Sequence, residues 1–389
     1  MKDAHGYQLT GCNGAAQALL DQALAQFRCL HAASLATTEA ALQASPELVM
    51  GHVLHAWLYL LGTEAAALPV ARASRDRALA LPHNEREARH LHALGLLMDG
   101  RWYAAGRALE DLSVDYPHDL LALQAGHQID FFTGDARMLR DRIARVLPDW
   151  SLEMPGYHAL LGLYAFGLEE SGDYRLAERL GREAVALQPD DAWAQHAVAH
   201  VLEMQGRREE GIAWMRGNPA WQQDSMLAVH NWWHLALHHL EMDDFDSVLA
   251  LFDGPLNGHG STLALELIDA SALLWRLQLR GVEVGQRWSG VAERWAAMAA
   301  DGCYAFNDFH AAWPSPAPAA TTCSTCCTTH SGGPAGALTT THALPPWSAL
   351  RQSRRSKPSS RATMRAASIG CGASAIRRSC SAAATPSVT

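Results

Sequence analysis

Cysteine is scarce in the first 313 of the 389 residues, where only Cys12, Cys29 and Cys303 occur. Three thiols so widely spread cannot make a disulfide framework, and they point to a reducing compartment. Long apolar runs are missing too, so no segment reads as a bilayer-spanning helix. Met1 to Asn13 is polar and the first apolar stretch is broken by Gln and Asp, so no secretory segment is expected and the expected location is cytoplasmic. Basic charge is short in the same region, which carries 40 acidic residues against 23 basic ones. Phosphate binding needs a basic face, so specific nucleic-acid recognition is excluded as the main task. Phosphate-cradling P-loops, dinucleotide-binding glycine fingerprints and Gly-x-Ser-x-Gly nucleophile elbows are also absent, which removes several enzyme classes with readable motifs.

What is present is a repeat. Gly100 to Pro117 and Gly172 to Pro189 place a helix-ending Gly, a large aromatic, an Ala and a turn Pro at equal offsets, with Trp102 and Ala105 in one copy and Tyr174 and Ala177 in the other. Helix-ending positions recur at Gly62, Gly100, Gly134, Gly172 and Gly206, with Asp243 where the next would fall. A period near 34 residues is that of a tetratricopeptide helix-turn-helix unit, whose apolar side is buried only by stacking on its neighbours. The expected fold is therefore all-α, a tetratricopeptide-like helical-hairpin superhelix over residues 15–312 after an N-terminal arm at 1–14. First helices are predicted near 47–61, 86–99, 119–133, 157–171, 192–205 and 229–242, each followed by a partner. Pro148 should cut one partner short and leave an irregular link through Trp150 and Pro155. An Ala-rich helical segment is predicted over 15–44, and one further pair at 263–280 and 285–298. Trp102, Trp214 and Phe252 fall at packing positions.

The sequence changes character after Trp313. Residues 314–389 hold eight basic residues and no Asp or Glu, and Ala, Ser, Thr and Pro dominate. Such a segment buries too little apolar surface to offset chain entropy, so a disordered tail is expected over 313–389. The abrupt onset also suggests a reading-frame shift, because a body rich in Ala and Arg reflects GC-rich coding DNA. Cys323, Cys326 and His330 have only a superficial zinc-like spacing.

Histidine carries the remaining chemical signal. Counting ten residues back from a helix-ending Gly gives His52, His90 and His196, three equivalent positions on the first helices that should line a concave groove. His200 and Glu203 follow His196 by four and seven residues and share its helix face. The next first helix adds His230, Asn231, Trp233 and His234, and these two stripes could meet. Trp193, Trp232 and Trp233 stand near them as packing residues or pocket walls, and Asp130 reads as a groove-side acid before Gly134. Imidazole suits divalent transition cations, so His196, His200, Glu203, His230 and His234 are candidate metal ligands, with Glu203 as ligand or base. The alternative is that the imidazoles bond between helices or contact a ligand. His238 and His239 read as structural or solvent-facing.

Three runs add a resemblance. His196-Ala-Val-Ala-His200-Val-Leu-Glu203, His230-Asn231-Trp-Trp233-His234 and Asp269-Ala-Ser-Ala-Leu-Leu-Trp275 resemble the tetratricopeptide repeat protein 38 family. Tyr164 to Tyr174 and Met138 to Pro148 extend the likeness to roughly residues 15–312. The resemblance implies the helical-repeat fold but no activity, catalytic residue or cofactor. The reading that follows is a scaffold whose groove, through His52, His90, Asp130 and the histidine stripes, binds a peptide, a protein segment or a small ligand. A metal-dependent hydrolase using the His and Glu cluster is the alternative. A divalent metal is the one candidate cofactor, a homo-oligomer is left open, and neither nucleic acid nor a membrane is an expected partner.

Overall fold

The computed structural model describes residues 1–298 and 302–313. The tail expectation, with the spacing of Cys323, Cys326 and His330, lies outside them. The described residues fold into α1 (Gly14–Arg28), α2 (Ala33–Ala44), α3 (Val49–Leu60), α4 (Leu68–Leu79), α5 (Glu85–Met98), α6 (Trp102–Asp115), α7 (Leu120–Thr133), α8 (Ala136–Val146), α9 (Tyr157–Glu170) and α10 (Tyr174–Leu187). They continue as α11 (Ala192–Met204), α12 (Arg208–Gly217), α13 (Ala228–Leu240), α14 (Phe245–Leu251), α15 (Ala264–Leu279), α16 (Arg287–Ala296) and α17 (Ala305–Ala311). The described part of the chain is all-α, with no β-strand beyond two isolated bridges. None of its helices is long and apolar enough to cross a membrane.

Local chemistry explains where these helices begin and end. Asn84 and Glu87 form a capping box at the start of α5, and Asp119, Asp173 and Asp191 accept from backbone N–H groups in the first turns of α7, α10 and α11. Gly100, Gly134, Gly172 and Gly206 take left-handed φ values of 72°, 70°, 87° and 70°, which close the helix and are open to glycine without strain. Asp243 holds the same conformation in its turn, as the spacing implied. The first turn departs from the expectation, because Thr63 and not Gly62 is the left-handed residue.

Helices pack against their sequence neighbours, as in α5 with α6 and α9 with α10. The odd-numbered helices also touch one another, α7 on α9, α9 on α11, α11 on α13 and α13 on α15. The difference shows in burial. Helix α11 is buried from Ala192 through Leu202, whereas α10 buries one stripe through Ala177, Leu180, Gly181, Ala184 and Val185. Close approach is permitted by Gly167 on α9, where a Cβ would stand 2.5 Å from the Leu139 carbonyl of α8. Leu147 to Asp149 form a short 3-10 turn after α8, and Trp150 follows as an extended residue, as the early Pro148 implied.

The first 44 residues differ from expectation. The Ala-rich segment is two helices, α1 and α2, broken at Cys29–Ala32. The N-terminal residues bond to the start of α5, with Gln8 O accepting from Asn84 Nδ2 and Thr10 N donating to Glu87 Oε1. Further along, Gln124 Nε2 on α7 donates to Phe27 O, and Met226 N donates to Leu30 O. At the other end of the described chain, Asn307 Nδ2 donates to Thr63 O and Tyr304 Oη to Phe132 O. Both ends therefore fold back on distant helix termini.

His127 on α7 shows what such burial does to a titratable ring. It is fully buried, its Nε2–H donates to Leu163 O at 2.9 Å, and its Nδ1 has no partner. Burial pushes it from an ordinary 6.5 down to about 3. The unfolded chain takes up this proton below pH 6.5 and the folded ring does not until about pH 3, so the site loses stability as pH falls through that window. The expected slope is about 1.4 kcal/mol per pH unit. Urea unfolding of His127→Gln in the upper part of that window should show a pH dependence shallower than that of the unaltered protein by this amount; equal slopes would remove the assignment.

Candidate functional site

His196 and His200 lie one turn apart on α11, and His230 and His234 one turn apart on α13. Because α11 and α13 pack side by side, their stripes meet, and the four rings offer ligand atoms that all lie within 4.8 Å of one another. His230 Nε2 lies 3.0 Å from His196 Nε2 and 3.2 Å from His234 Nε2. The His200 ring centroid is 4.3 Å from that of His196 and 4.4 Å from that of His234. Phe166 of α9 stacks on His196 and Trp233 on His230, so aromatic faces wall the cluster. His196, His200 and His234 are buried, while the His230 side chain keeps about a fifth of its surface exposed.

The outer nitrogens of three rings face carboxylates from three helices. His230 Nδ1 lies 2.9 Å from Asp269 Oδ1 on α15, His234 Nδ1 lies 3.2 Å from Glu203 Oε2 on α11, and His200 Nδ1 lies 3.3 Å from Glu169 Oε2 on α9. Asp269 and Glu203 as carboxylates accept, which puts the proton of His230 and His234 on Nδ1 and leaves Nε2 its lone pair, whereas Glu169 Oε2 stands at ion-pair distance from His200 and makes no hydrogen bond. The Nε2 atoms of His196, His230 and His234 meet in one small volume, and His200 Nε2 is buried with no hydrogen-bond partner. His196, whose Nδ1 has no partner, can donate from Nε2 to His230, and a cation among the rings would take the place of that bond. Carboxylate–imidazole–metal pairing of this kind is the usual way a protein orients its ligands.

The inner spacing fits a metal. Two nitrogens at about 2.0–2.1 Å from a tetrahedral cation stand about 3.3 Å apart. Burial also prepares the groups, since it pushes His196 and His234 well below their ordinary range and lowers His200, so these ligands need not lose a proton before binding. The same burial pushes Glu169 up to about 8, Glu203 up to about 7 and, aided by the charge of Glu169, Glu170 up to about 7. A bound cation would stabilise these carboxylates in their charged form.

The other expected contacts do not join this cluster. His52 Nε2 donates to Pro46 O at 2.9 Å, and His90 Nε2 donates to Asp119 Oδ2 at 2.9 Å beside Arg86. Asp130 is gripped by Arg142, from Nε at 2.7 Å and Nη2 at 3.0 Å. All three, expected in a ligand-binding groove, His52 and His90 by their repeat offset and Asp130 by its place before Gly134, are buried in internal bonds. Asn231 donates to Ala192 O and holds α13 to the start of α11. His238, open to a solvent-facing reading, is fully buried against Gly211, and His239 is buried and paired with Asp244.

Glu169 and Asp269 are the residues that sequence reasoning missed. A signal existed for Glu169, which precedes Gly172 by the same three residues that separate Glu203 from Gly206. Asp269 had none beyond being an acid in an apolar helix. No protein-family model matches this chain.

Proposed function

We propose that this protein is a tetratricopeptide-type helical superhelix whose four-histidine centre binds one divalent first-row transition cation. The observation that carries the reading is the meeting of His196, His200, His230 and His234 within 4.8 Å, with Asp269 and Glu203 hydrogen-bonded to the outer nitrogens of His230 and His234. Neutral nitrogen ligands favour zinc, nickel, iron or copper over magnesium or calcium. Such a cation supplies Lewis acidity toward a carbonyl or phosphoryl oxygen and activates water. His230 is the ligand nearest solvent, and Glu203 and Glu170, whose ordinary range burial has moved toward neutrality, can hold a proton beside the centre. Metal-assisted hydrolysis is the reaction class these groups favour. The peptide-binding scaffold reading draws its support from the paired helices alone, because His52, His90 and Asp130 are engaged in internal bonds.

Elemental mass spectrometry of the full chain, purified without chelator and without a histidine tag, tests the reading. The expected result is a metal content that falls by about one cation per chain in His196→Gln and His234→Gln variants with an unchanged helical spectrum. Folded protein whose metal content is the same with and without these histidines would overturn it.

A further inference from the structure

A second set of ligand atoms lies where α1 gives way to α2. Cys29 ends α1, His31 follows two residues later, and Asp190 sits in the turn between α10 and α11. Cys29 Sγ is 3.9 Å from Asp190 Oδ1, His31 Nε2 is 3.2 Å from Asp190 Oδ2, and the three ligand atoms lie within 4.8 Å of one another.

Ordinary pairing accounts poorly for this arrangement. The thiol–carboxylate contact is at the far limit of a hydrogen bond, and His31 Nε2 is buried at ion-pair distance yet makes no hydrogen bond. The thiol reaches one carboxylate oxygen only at that long distance, and His31 Nε2 stands beside the other oxygen without bonding to it. A nucleophilic role for the thiol is disfavoured, since burial pushes Cys29 up, away from the thiolate.

The turn is also built to hold its shape. Leu30, between the two ligand residues, has φ of 59°, a left-handed conformation disfavoured for a non-glycine residue. It is fixed by Met226 N donating to Leu30 O and Ala32 N donating to Asp224 O, both at 2.8 Å, on either side of a bridge between His31 and Ser225. These bonds come from a distant loop and place the Cys29 and His31 side chains together against Asp190.

We propose that Cys29, His31 and Asp190 form a second divalent-cation site, of zinc type, which staples the α1–α2 turn to the α10–α11 turn. Sulfur, nitrogen and oxygen donors in this number suit zinc with one remaining position for water. The site shares no residue with the four-histidine centre, so either can fail without the other.

Cobalt(II) added to the metal-stripped full chain distinguishes them, because only a thiolate ligand gives a sulfur-to-cobalt charge-transfer band. The band is expected in the unaltered chain and in His234→Gln, and lost or severely weakened in Cys29→Ser. His31→Gln, which leaves the thiol in place, should weaken cobalt binding at this site at least tenfold, and so keeps the test valid if Cys29→Ser fails to fold. A band that survives Cys29→Ser undiminished, or cobalt-loaded protein with no such band, would overturn the proposal.

Discussion

Replacing His234 by alanine in a Cys29→Ser background is expected to abolish the thermal stabilisation that zinc or nickel gives through the four-histidine centre. A cation that binds only the folded chain adds about 4 kcal/mol when present at a thousand times its dissociation constant. His234 sits at the centre of the cluster, with Nε2 3.2 Å from His230 and Nδ1 on Glu203, so its loss removes a ligand and frees a carboxylate together. Asp269→Asn should be milder. It keeps the size of the side chain but weakens the bond that fixes the His230 ring, and loss of such an outer partner typically lowers affinity 10- to 100-fold. Thermal melts with and without metal separate the two. A metal-dependent shift as large with His234→Ala as without it, both in the Cys29→Ser background, would mean that the cation does not bind the four-histidine centre. Metal affinity unchanged in Asp269→Asn would mean that the carboxylates do not orient the rings.

The largest loss of stability not involving metal is expected at Arg142. Arg142 is 2 % exposed and its guanidinium grips Asp130 with two nitrogens, while Nη2 also donates to Gly106 O at 3.1 Å. Gly126 makes the room, because a Cβ there would lie 2.6 Å from Arg142 Nη1. Arg142→Met leaves a buried carboxylate uncompensated, and breaking a buried pair in this way costs about 3–5 kcal/mol. Removing the second charge as well, in Arg142→Met with Asp130→Leu, should recover much of the loss, since the desolvation cost leaves with both ions. Urea unfolding of the single and double variants measures this. A single variant within about 1 kcal/mol of the unaltered protein would show that the pair contributes little.

Much of the secondary structure was legible along the chain because its signals are local. The helix predicted at 157–171 is Tyr157–Glu170, and that at 192–205 is Ala192–Met204, since Asp caps, glycine stops and a 3.6-residue apolar period act within a few residues. The break at Cys29–Ala32 escaped the same reading. It contains neither Gly nor Pro, and the bonds that hold it come from Asp224 and Met226. The offsets that placed His52 and His90 in a groove, and the position before Gly134 that placed Asp130 there, did not show their partners for a related reason. An offset identifies a face of a helix but not what packs there, and Asp119, Pro46 and Arg142 had already taken these side chains.

For the candidate site, the sequence by itself determined that His196 and His200, and His230 and His234, share helix faces, because four residues make about one turn. Only the tertiary structure decided that the two faces meet and that Glu169 and Asp269 reach them from α9 and α15. The division is physical. Periodicity sets which way a side chain leaves its own helix, whereas the proton on an imidazole, and so the nitrogen left free to bind, is set by a carboxylate on another helix, 39 residues away for His230.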